Sequence, residues 1–119
     1  MPTLRFGRAS ISTANTNTNG TGTITDLVVG SANGTRVDII VVQATANTTQ
    51  GMIRLFTYNG STWGLVHEEQ VASVQGSAVT PLFRTTLRLP AINIGNGQKL
   101  GVSTNNAESF VVTAMAYDY

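Results

Sequence analysis

Gly51–Val71, GMIRLFTYNGSTWGLVHEEQV, constrains the fold more than any other stretch of this chain. Two runs of aliphatic, β-branched and aromatic residues flank Asn59-Gly60-Ser61-Thr62. Asn and Gly tolerate φ > 0, which the turns between antiparallel strands need. The pattern predicts a hairpin of Gly51–Tyr58 and Trp63–Val71. Either Asn-Gly alone closes it, or the longer Asn59–Thr62 with glycine in a left-handed conformation. On the first strand Ile53, Leu55 and Thr57 share one face, and Met52, Arg54, Phe56 and Tyr58 the other. On the second, Trp63, Leu65, His67, Glu69 and Val71 oppose Gly64, Val66 and Glu68. Apolar residues fall on both faces, so the hairpin is expected to pack on a core and to touch a second surface.

The rest of the chain repeats this pattern. Thr3–Ile11, TLRFGRASI, alternates Leu4, Phe6 and Arg8 with Arg5, Gly7 and Ala9, as an edge strand or an extended arm does. Asn15–Gly22, NTNTNGTG, is polar and low in complexity. It reads as a surface loop, mobile or ordered by another subunit, with no side chain suited to anchoring a core. Residues 1–22 are thus expected to form an arm or edge strand plus polar loop, and residues 23–119 the sandwich domain. Further strands are predicted at Thr23–Val29, Thr35–Ala46, Leu82–Leu89, Gln98–Thr104 and Ser109–Tyr117. Val37–Val42, interrupted only by Asp38, reads as a central strand covered on both faces. Pro90 has no N–H to donate and is expected to end its strand, leaving Ile92–Ile94 as a short bridge.

No window carries sustained helical spacing. Seven or eight strands at short intervals predict an all-β, two-sheet antiparallel sandwich with essentially no α-helix. Spacing does not separate a jelly-roll from an immunoglobulin-like order; a jelly-roll-like one is favoured. The expected core includes Ile39, Val41, Leu55, Leu65, Leu87, Leu100, Val102 and Val111.

Charged residues are only 11% of the 119, under half the usual share, and seven basic against six acidic side chains leave +1. That removes the electrostatic case for nucleic acid or an anionic membrane as partner. The chain has no cysteine, which excludes disulfides and thiolate metal sites. No apolar run approaches the ~20 residues that span a bilayer, and MPTLRFGRAS lacks the pattern of a secretory signal, so synthesis in a cytoplasm is expected. So weakly charged a surface suits a subunit that buries much of itself in an assembly.

Catalytic chemistry finds little to stand on. The one histidine, His67, precedes Glu68-Glu69, and on a strand only Glu69 shares its face. A metal or general-base site needs more convergent partners than that pair. Asp26, Asp38, Glu68, Glu69, Glu108 and Asp118 sit in no recognisable motif, and no nucleophile elbow, P-loop or dinucleotide fingerprint is present. The expectation is no enzyme, no cofactor and no metal. Arg54, Arg84 and Arg88 are read as a strip; the last two share parity and face outward as interface anchors. Tyr58 and Trp63 flank the hairpin turn, where they either pack across the strands or present a sugar-stacking platform.

Three segments resemble one group of proteins. VVQATANTTQGMIRLFTYNGSTWGLVHEEQV, PLFRTTLRLP and GQKLGVSTNNAESFVVTAMAYDY are similar to small virion proteins of tailed phages and prophages. The carriers are the Gly51–Phe56 strand with its Asn-Gly hairpin, the His67-Glu68-Glu69 run and Leu100–Glu108. The resemblance spans Thr35–Tyr119 and implies a non-enzymatic β-sandwich, such as a capsid cement or decoration protein. The partners expected are the major capsid protein and its own copies; apolar residues on both faces of the hairpin and the low surface charge predict a homotrimer or other closed ring of subunits on the capsid surface. The expected interface residues are Leu4, Phe6, Arg84, Arg88 and Tyr119, with Arg5 and Arg8 adding charge. The alternatives are a tail- or fibre-associated protein, or a carbohydrate-binding module using Tyr58 and Trp63.

Overall fold

The computed structural model describes residues 2–119. It holds eight strands: β1 (Thr3–Ile11), β2 (Thr25–Val29), β3 (Thr35–Ala44), β4 (Gly51–Tyr58), β5 (Trp63–Val71), β6 (Arg84–Ile94), β7 (Lys99–Thr104) and β8 (Phe110–Asp118). No helix occurs among the described residues. Two four-stranded antiparallel sheets pack face to face, one in the order β1-β8-β3-β6 and the other β2-β7-β4-β5. Successive strands mostly change sheet, which makes the sandwich jelly-roll-like.

The hairpin forms where the turn chemistry placed it, with the longer loop. Asn59 Oδ1 accepts from the N–H groups of Ser61 and Thr62, both at 2.9 Å, and Gly60 adopts φ 97°. The β4–β5 register slips between Leu55 and Phe56, because Val66 is an extra residue on β5. β4 pairs with β7 without a slip, so its side chains alternate regularly. Ile53 and Leu55 enter the core, while Arg54 and Phe56 are also buried, on the opposite face. The second surface met by the hairpin belongs to the chain itself. Residues 12–24 run over that face: Ala14 bridges Thr104, and the Asn15 carbonyl accepts from Arg54 at 3.4 Å.

Several expectations change in three dimensions. Asn15 does anchor the polar loop; its buried amide donates to the carbonyls of Thr21 and Thr23 at 3.1 and 2.9 Å. Pro90 does not end its strand. β6 continues through it to Ile94, because β6 is a sheet edge and its register against β3 shifts there. Of the expected core, Leu55, Leu87, Leu100 and Val102 are buried. Ile39, Val41, Leu65 and Val111 are only half-buried and point away from it. Their places are taken by Val37, Ile40, Val42, Phe110, Val112 and Ala114. A continuous apolar run has no period to choose a face by, and Asp38, the extra residue in β3, shifts the parity within it.

β3 is central as expected, but the chain covers one of its faces only. Among the described residues no strand packs on the outer face of its sheet, and the exposed Phe6 and Met115 lie there beside Ile39.

Candidate interaction surface

Register assembles this outer face row by row. Phe6, Met115, Ile39 and Arg88 lie side by side across β1, β8, β3 and β6. One row on are Arg8, Thr113, Val41 and Thr86; the next holds Ser10, Val111, Gln43 and Arg84. On the other side lie Leu4, Tyr117, Arg36 and Asn93. Alternation gives this grid directly, since every second residue of a strand points the same way. Tyr119 extends it: its ring meets that of Tyr117 at 5.6 Å and its hydroxyl donates to Asn93 Oδ1 at 3.4 Å.

Leu4, Phe6, Arg84, Arg88 and Tyr119, separate in the sequence, therefore share one surface. All five are exposed, Leu4 by 80% and Phe6 by 59%. Arg54 does not join Arg84 and Arg88. It lies in the other sheet, 8% exposed, and donates to Glu68 Oε2 at 2.9 Å and Asn105 Oδ1 at 3.1 Å. Arg5 has the parity opposite to Leu4 and Phe6. Its Nε donates to Asp118 Oδ2 and its Nη2 to the Val29 carbonyl, both at 2.7 Å, which ties β1 to β8 and across the sandwich to β2. Asp118 also accepts from the Thr35 hydroxyl at 2.6 Å. The Arg5 hydrogen bond, with that from Thr35 behind it, holds the Asp118 carboxyl below the ordinary aspartate range.

The charges sort by surface. Lys99 pairs with Asp26, Arg54 with Glu68 and His67 with Glu69, all on the second sheet. Arg36 pairs with Asp38 at 3.2 Å, too poorly aligned for a hydrogen bond. Among the described residues, Arg8, Arg84 and Arg88 have no carboxylate partner, and all three lie on the uncovered face; Arg8 sits 5.3 Å from the centre of the Phe6 ring. Sequence reasoning missed Ile39, Val41, Val111 and Met115 as members of this surface. The signal for them was the small-residue set Ala114 and Ala116 on β8, which fits the crowded interior and leaves the bulkier parity outside.

At the hairpin, Tyr58 and Trp63 pack on each other at 5.1 Å with planes 47° apart. Lys99 Nζ lies 5.0 Å from the Tyr58 ring centre and 5.9 Å from that of Trp63. Trp63 covers Gly101, where a Cβ would come within 2.6 Å of its ring. A recess of about 160 Å³ beside them is lined by Tyr58, Asn59, Asn93, Gln98 and Lys99. Its three side-chain amide oxygens are already engaged, that of Asn59 in the turn, that of Asn93 with the Tyr119 hydroxyl and that of Gln98 with the Gly95 N–H at 2.7 Å. His67 and Glu69 meet at 3.2 Å, and no group of three or more His, Cys, Asp or Glu that could hold a metal occurs among the described residues.

No family model matches the sequence, and no curated protein matches it. Among solved structures, the chain is similar to a chain of the acidic stable capsid structure of Helicobacter pylori bacteriophage KHP30. The TM-score is 0.54 at 12% identity, over 98% of this chain and 92% of that one. At that identity the likeness establishes the fold: a two-sheet β-sandwich of a kind that also occurs in a phage capsid structure.

Proposed function

We propose that the chain is a non-enzymatic structural subunit of a phage particle, a cement or decoration protein that binds the capsid surface and stabilises the shell. The uncovered outer face of the first sheet carries this reading. Free soluble domains seldom leave a contiguous sheet face with an apolar centre open to water, and such a face marks a contact with another protein. The likeness to a phage capsid structure and the virion-like sequence segments point to the same setting. The side chains available for chemistry have structural partners instead. His67 is held by Glu69, and Glu108 accepts from the N–H and hydroxyl of Thr49 at 2.8 and 2.7 Å.

In this reading the partner is the major capsid protein, the protein is made in the host cytoplasm, and its own copies gather into a homotrimer. Self-association falls to the β5 edge, where Val66 is 48% exposed, rather than to the arginine-bearing face. The chain is expected to co-purify with intact particles at fixed stoichiometry. Recovery only in the particle-free fraction would defeat the reading. Glycan binding by the free protein, abolished by Tyr58→Ala or Trp63→Ala, would favour the carbohydrate-binding module instead.

A further inference from the structure

We infer that the outer face of the β1-β8-β3-β6 sheet docks on an acidic protein surface with an apolar centre, a surface of the capsid shell and not of a second copy of this chain. The inference rests on the reading of the chain as a particle subunit and assigns the face and the chemistry by which it attaches.

Charge carries the choice of partner. Three cations that have no carboxylate partner among the described residues converge on this one face. Arg8 stands on one edge strand, and Arg84 and Arg88 on the other. Between them lie Ile39, Val41, Val111 and Met115, placed there by register. Three interstrand spacings separate β1 from β6, about 14 Å. The matching surface has an apolar strip between carboxylates set that far apart. Arginine, methionine and aromatic side chains without lysine are the make-up of a protein-protein contact.

A second copy fits badly. Two such faces laid together would oppose arginine to arginine. Nor do the described residues elsewhere offer an acid without a partner: Asp26, Asp38, Glu68 and Asp118 are each in an ion pair, Glu69 meets the His67 ring and Glu108 is bonded to Thr49. Nucleic acid would satisfy the arginines but leave the strip of Ile39, Val41 and Met115 without an apolar partner. Area adds a constraint. Four strands by four alternate residues cover roughly 500 Å² of plane, below the ~800 Å² per partner of a stable pair. A contact of this size suits attachment repeated over many sites on a lattice, where linked copies reinforce one another.

The test uses the full chain and purified shells of the parent phage lacking it, with bound protein measured by co-sedimentation at low and high salt. The triple variant Arg8→Glu, Arg84→Glu, Arg88→Glu changes exposed side chains only, and an unchanged melting temperature verifies its fold. It is expected to bind about a hundredfold more weakly or worse. Met115→Asp is expected to weaken binding while keeping every arginine, and wild-type binding is expected to fall as salt rises. Wild-type binding that the triple variant and Met115→Asp both retain would overturn the docking face and leave the particle reading standing. Absence of wild-type binding would overturn both. A wild-type oligomer that the triple variant dissolves would give the face to a second copy. Tighter binding to a single-stranded DNA oligonucleotide than to shells, lost in the triple variant, would give it to nucleic acid; either result overturns the inference.

Discussion

Arg54 shows how one buried residue organises a surface. It lies mid-strand on β4, on the face away from the core, and its guanidinium reaches Glu68, Asn105 and the Asn15 carbonyl. Hydrogen bonds from a charged donor stabilise by ~1.5–3 kcal/mol, and an acceptor left buried without a partner costs a similar amount. Arg54→Ala is therefore expected to destabilise the protein by about 2–3 kcal/mol in urea unfolding. Glu68→Gln keeps an acceptor at a partly exposed position and is expected to cost under ~1 kcal/mol. Equal losses in the two variants would show that the ion pair, rather than the loop anchor, carries the stability. Asn15 supplies the other half of the anchor. Its amide was not legible as one, because in an Asn/Thr/Gly tract nothing local distinguishes the buried asparagine from the exposed ones.

At the scale of elements, the Arg5–Asp118–Thr35 cluster fastens edge strand β1 to β8 and β3. The folded-state pKa of Asp118 is lowered, so its contribution to stability is complete above the ordinary aspartate value of about 3.9. It is lost as the pH falls from there through the lowered value. Asp118→Asn is expected to flatten this part of the acid-unfolding profile below about pH 4 and to speed amide exchange in β1. A profile identical to wild type would remove Asp118 from the acid response. β1 itself sends Ala9 and Ile11 into the core while Leu4 and Phe6 stay outside, so one strand serves both the fold and the surface. Alternation announced that division in the sequence.

On the scale of the whole molecule, both sheets carry ion pairs, but among the described residues the cations without a carboxylate partner lie on the first alone. The second sheet carries ion pairs on both arms of its hairpin, and the first presents the unpaired arginines. The hairpin's apolar residues on both faces, the original ground for a ring of subunits, are partly accounted for by residues 12–24 covering Phe56's face of the sheet. A homotrimer therefore requires the β5 edge, and its check is sedimentation at high protein concentration. A trimer that Val66→Lys dissociates is the expected outcome, and monomer alone would remove this part of the proposal.

The sequence by itself determined the fold class, the hairpin and the outward parity of Arg84 and Arg88. These follow from alternation and turn chemistry, which act over a few residues. It could not choose the buried face of Val37–Val42 or of β8, because both parities there are apolar and a single bulge exchanges them. Only the tertiary structure brought Leu4, Phe6, Arg84, Arg88 and Tyr119 together, since their neighbourhood is made by strand order between distant segments. Ion pairing is likewise a matter of tertiary position. Seven cations look alike along the chain, and packing alone decides that Arg8, Arg84 and Arg88 remain without a carboxylate on one open face.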